Sequence, residues 1–153
     1  YMIALLGVLP DRTVGEVMQR YPFSESEADR IKTARFEIGR ISRLLSRQPA
    51  PRPADTYHAL EGLPDEALLY LMAKSKSDSI KRQVSAFFTS YRHVQHSVTG
   101  DDLKAMGLKP GPQYKRILSR LLAARLNGEI KTEAEERELA RRFVSMEKGV
   151  QSN

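Results

Sequence analysis

The sequence predicts an all-α fold, a multi-helix bundle in two packed helical subdomains, on three observations. Apolar residues recur every three or four positions along most of its 153 residues, the period of helices that bury one face. Helix starts are marked by a hydroxyl residue three positions before an acid: Thr13 with Glu16, Ser24 with Glu27, Thr99 with Asp102 and Thr132 with Glu135. At that spacing the two side chains satisfy each other's free backbone N–H groups. No run alternates apolar and polar residues between turn signals, as a half-buried strand does.

The expected helices follow in order. Tyr1–Val8 is short and apolar, and Val14–Arg20 follows the Thr13 cap. Glu25–Leu45 carries Ile31, Ala34, Ile38, Ile41 and Leu45 on one stripe and Arg30, Glu37 and Arg40 opposite, the pattern of a packing helix. Three prolines within Gln48–Pro53 end it, because proline removes an N–H and clashes with the preceding turn; the segment reads as a stiff connector. Ala54–Glu61, Pro64–Lys74 and Asp78–His93 come next, with Phe87 and Phe88 read as core and a softer joint near Gln95–Val98. Asp101–Met106 is stopped by Gly107, which suits the left-handed position after a helix. Pro112–Leu126 starts on a proline at its first turn, where the missing N–H costs nothing. In Glu133–Lys148 acids precede bases, matching the helix dipole, with a frayed tail over 149–153. The domains expected are 1–48, 49–97 and 98–153, the first two forming one helical body.

Composition narrows the function. There is no Cys, which excludes disulfides and thiolate chemistry and fits a reducing, cytoplasmic setting. No run reaches the about 20 apolar residues of a membrane helix, so no membrane partner is expected. The apolar opening is broken by Gly7 and Pro10 and lacks the basic leader of a signal peptide. The first residue is Tyr1 rather than Met, which points to a piece of a longer chain. No catalytic residue is assigned: the nucleophile turn, phosphate loop and dinucleotide fingerprint are all missing. His93 and His96 lack the further ligands a metal needs, and no metal site is expected.

The net charge of +6 is unevenly placed: residues 76–125 hold ten Lys/Arg against three Asp/Glu, while the flanking parts are near balance. A localised cationic surface attracts polyanions by its summed field and by counterion release. Within this stretch Gly107-Leu108-Lys109-Pro110-Gly111-Pro112 forms a rigid corner leading into a helix N-terminus, whose free amides favour an anion. Taken alone, such a turn is more often a tight helix connection. Ile117, Leu118, Leu121, Leu122 and Leu126 are expected to face inward, with Lys115, Arg116, Ser119 and Arg120 outward.

The string Thr99-Gly100-Asp101-Asp102-Leu103, then Gly107-Leu108-Lys109-Pro110-Gly111-Pro112, then Leu121 to Thr132 and Glu135, resembles the C-terminal motif of bacterial CCA-adding and A-adding tRNA nucleotidyltransferases, a family that includes poly(A) polymerases. Pro53–Leu60 and Leu63–Leu69 resemble its helical body more weakly. The resemblance implies a body (1–97) and tail (98–153) that hold tRNA by shape and phosphates, while a catalytic head, absent from these residues, adds nucleotides using Mg²⁺ with ATP and, in some members, CTP. The head's Asp-x-Asp pair has no counterpart here: Asp101 and Asp102 are adjacent and accounted for by capping.

The RNA-binding residues expected are Lys81, Arg82, Arg92, Lys104, Lys109, Gly111, Lys115, Arg116, Arg120 and Arg125. Thr99, Gly100, Asp102, Leu103, Gly107, Pro110 and Pro112 are expected to shape the corner. Two other readings stay open: a helix-hairpin-helix-like DNA-binding module, against which Pro-Gly-Pro in place of Gly-x-Gly counts, and a helical protein-interaction domain.

Overall fold

The computed structural model describes residues 11–151, without the side chains of 11, 27–35, 66 and 149–151. The expected first helix, and Ile31, Ala34, Arg30 and Glu27 as side chains, lie outside the described residues. The described residues are all-α, with no strand among them. The helices are α1 (Asp11–Arg20), α2 (Glu25–Leu45), α3 (Pro53–Leu60), α4 (Asp65–Lys74), α5 (Asp78–Thr89), a 3₁₀ turn at Tyr91–His93, α6 (Gly100–Ala105), α7 (Pro112–Leu126) and α8 (Glu133–Gln151). Among the described residues no helix is long and apolar enough to cross a membrane.

Several boundaries moved for local reasons. Thr13 lies inside α1 rather than capping it. Pro64 is the residue before α4, its extended backbone (ψ 149°) leaving Asp65 as the first helical position. The expected helix to His93 stops at Thr89, since Ser90 leaves helical geometry before the 3₁₀ turn. At the other end, α8 runs on to Gln151, past the frayed tail expected from Gly149.

The chain divides into two compact units. Of the described residues, unit 1 takes in those up to Pro51 and His58–Phe87; unit 2 takes in Arg52–Tyr57 and those from Phe88 on. In unit 1, α2 packs on α4, with Ile41 and Leu45 of α2 and Leu68 and Leu71 of α4 buried. The Ser79 hydroxyl donates to the Leu45 carbonyl at 2.9 Å, satisfying a terminal group of α2. Val14 is buried with Val17, Met18 and Phe23 packed around it.

Unit 2 is built on α6, α7 and α8. Its core joins Val98, Leu103, Leu108, Ile117, Leu121, Ala140, Phe143 and Val144. Burying a Leu or Ile side chain fully contributes roughly 1.5–3 kcal/mol, so Leu103, Ile117 and Leu121, each 0% exposed, do much to hold the three helices together. The expected boundary at 97/98 falls inside this unit, because three hydrogen-bonded links join residues distant along the chain. Buried Glu136 accepts from the Ser97 and Val98 amides at 2.7 and 2.9 Å. Arg125 reaches the Gln95 carbonyl at 3.3 Å. The Asn127 amide oxygen accepts from the Ala54 N–H at 3.1 Å, which ties the first turn of α3 to the end of α7.

Candidate nucleic-acid interface

The corner of unit 2 is assembled from short-range rules. Thr99 caps α6 with both halves of the capping box present: its hydroxyl accepts from the Asp102 N–H at 3.3 Å, and the Asp102 carboxylate accepts from the Thr99 N–H at 2.8 Å. Asp102 also accepts from the Thr99 hydroxyl at 2.7 Å. The Thr99 hydroxyl, then the Thr99 N–H and more weakly Arg137, hold this carboxyl below the usual carboxylate range. Glu135 is lowered in the same way by the Lys131 and Thr132 N–H groups at the start of α8.

Gly107 ends α6 at φ +82°. The Leu108 N–H bonds the Leu103 carbonyl at 3.1 Å and the Gly107 N–H bonds the Lys104 carbonyl at 2.8 Å, the paired closure of a Schellman motif. Leu103 and Leu108, which flank that closure, both enter the core. The same closure recurs after α7, where Gly128 takes φ +71° and the Glu129 and Gly128 N–H groups bond Ala124 and Arg125 carbonyls.

The Pro110-Gly111-Pro112 turn is exposed, and the helix it starts braces it. The Tyr114 hydroxyl donates to the Leu108 carbonyl and the Gln113 amide to the Lys109 carbonyl, each at 2.7 Å. The Gln113 side chain folds over Gly111. A Cβ at Gly111 would stand 2.5 Å from Gln113 Oε1. Gly100 is less confined: a Cβ there would stand at an ordinary contact distance of 3.5 Å from the Tyr114 ring.

The C-terminal part of α8 lies against this corner. Lys148 Nζ donates to the Met106 carbonyl at 3.0 Å, and Glu147 pairs with Arg116 at 2.7 Å. Lys104, Lys109, Lys115 and Arg116 therefore share one end of unit 2, all exposed. The first three have no ion-pair partner among the described residues, so their charge is uncompensated at short range. Arg120, one turn further along α7, is also exposed and lies over the Phe143 ring.

The remaining expected residues stand elsewhere. Lys81 and Arg82 are exposed on α5 in unit 1. Arg92 places its guanidinium 5.4 Å from the Phe88 ring centroid. Arg125 sits about 13 Å along the helix axis from Arg116. Its side chain is largely buried, pairing with Glu136 at 2.6 Å and donating to Ser97 Oγ at 3.2 Å. The charge of Arg125 is thus matched inside the fold. His93 and His96 turn ring nitrogens to the Phe88 and Val98 carbonyls, and no cluster of three metal-ligating side chains occurs among the described residues. Phe87 is buried and Phe88 half-buried.

Sequence reasoning missed Gln113, Asn127, Glu136 and Lys148. Glu136 had a usable signal: it precedes Ala140, Phe143 and Val144 by four, seven and eight positions, so it stands on the apolar stripe. An acid in that register is buried and needs partners.

These features define an all-helical region with free lysines gathered at a proline-bracketed corner. Over 148 residues, 94% of this chain, it is 38% identical to the A-adding tRNA nucleotidyltransferase of Geobacter sulfurreducens. The chain spans 17% of that relative's length. The likeness bears out the resemblance of Thr99–Glu135 to the tRNA nucleotidyltransferases: the chain is similar to one part of such a protein. No protein-family model and no solved structure matches it.

Proposed function

We propose that this region holds tRNA for a nucleotidyltransferase whose catalytic head lies in another part of a longer protein. The observation that carries the reading is the relative's identity over nearly the whole chain. The physical support is the exposed corner of unit 2, where Lys104, Lys109 and Lys115 stand uncompensated. Folded RNA presents phosphates and sugar edges rather than a readable deep groove, so a rigid cationic corner is a fitting grip. Chemistry with Mg²⁺, ATP and in some relatives CTP belongs to the head. Among the described residues there is no group of three or more His, Asp or Glu side chains placed to hold a metal ion. On this reading the region contributes affinity and placement.

The test is equilibrium binding of a tRNA transcript to the chain, in competition with duplex DNA of equal charge at one salt concentration. tRNA is expected to win and its affinity to fall with salt, with a log–log slope of about −2 to −3 if the three corner lysines meet phosphates. Preference for the DNA duplex, or binding indifferent to salt, contradicts the proposal.

A further inference from the structure

Arg120 is built differently from the other exposed cations of unit 2. Its guanidinium carbon lies 3.7 Å from the centroid of the Phe143 ring, a distance at which the cation sits directly on the ring face. Phe143 is only 8% exposed and belongs to the core, so the ring is a fixed support. Arg120 itself is exposed, and its N–H groups have no hydrogen-bond or ion-pair partner among the described residues. One turn back along α7, Arg116 is already engaged with Glu147. Three residues on from Phe143 along α8, Met146 is 61% exposed, a large apolar side chain facing solvent. The α7–α8 seam thus presents a guanidinium seated over a buried ring and exposed to solvent, its donors unoccupied among the described residues.

We propose that this plane is a stacking site for an exposed nucleobase of RNA, and not a phosphate contact. The inference rests on the RNA-holding reading above. A point charge serves a phosphate whatever its orientation, whereas a stacking group benefits from having its plane fixed before the base arrives. Unpaired bases stack on guanidinium planes as well as on aromatic rings, and the fork of N–H donors reaches base or phosphate oxygens at the rim. Lysine supplies the same charge without a plane.

Binding of a tRNA transcript to the whole chain is measured at several salt concentrations for the unaltered protein, Arg120→Lys and Phe143→Leu, with heparin as a polyanion that has no bases. Arg120→Lys is expected to lose about tenfold in tRNA affinity at every salt concentration, as for one lost base stack, with an unchanged salt slope and unchanged heparin binding. Phe143→Leu, compared well below its melting transition, is expected to show the same pattern because Arg120 loses its support. Arg120→Lys binding tRNA like the unaltered protein overturns the stacking site and leaves the RNA-holding reading intact. Equal losses on tRNA and heparin also overturn it, since the effect is then one of charge. An unaltered protein that fails to bind tRNA overturns both.

Discussion

Removing the Glu136 carboxylate strands three partners at once: the Arg125 guanidinium and the amides of Ser97 and Val98. Breaking a buried pair from one side leaves the other charge uncompensated, at a cost of about 3–5 kcal/mol. Glu136→Ala is therefore expected to destabilise by about 3 kcal/mol or more in chemical denaturation. Glu136→Gln, which retains an oxygen for the two amides, should lose clearly less; equal losses would mean the backbone hydrogen bonds contribute little. The caps make a separate prediction for acid. Asp102 and Glu135 are held below the usual carboxylate range by hydroxyl and N–H donors. A lowered folded-state pKa contributes stability above the unfolded-state value, and that contribution is lost as pH falls through the folded-state value. Stability should decline over that acid window, and the decline should be shallower in Asp102→Asn with Glu135→Gln. An identical acid profile in the double variant would contradict the capping account.

At the scale of elements, the two glycine closures have separable costs. Alanine in the left-handed region costs about 1–2 kcal/mol. Gly128→Ala meets open space and should lose no more than that. Gly107→Ala also brings a Cβ to 2.8 Å from Lys148 Nζ, which displaces the lysine from the Met106 carbonyl, so it should lose more. Melting of the two variants checks the order. What could be read in advance divides along the same line. Thr99 with Asp102 and Gly107 at the end of α6 act within a few residues, so their roles were legible in spacing. Thr13 has the same spacing yet lies inside α1, because a box pattern is sufficient only where the helix has not already begun. Glu136, Asn127 and Lys148 act across 38, 73 and 42 residues, distances at which local pattern names the face a residue occupies but not its partner.

For the whole molecule, charge pattern and three-dimensional placement differ. The cationic stretch 76–125 reads as continuous in sequence, yet its members belong to two units, and within unit 2 they part again. Lys104, Lys109 and Lys115 gather at the corner, while Arg125 is matched by Glu136 and Arg116 by Glu147. The lysines at the corner and Arg120 on the α7–α8 seam thus keep their charge uncompensated among the described residues. All three lysines are exposed and unpaired among the described residues, so replacing them should leave stability nearly unchanged while weakening the grip on RNA. The most direct test compares tRNA binding across salt concentrations for the unaltered chain and the triple variant Lys104→Ala, Lys109→Ala, Lys115→Ala. A weaker affinity with a log–log slope shallower by about 2–3 is predicted, the change expected when three phosphates no longer meet a cation. An unchanged slope in a variant that melts like the unaltered protein would contradict the assignment of the corner to RNA.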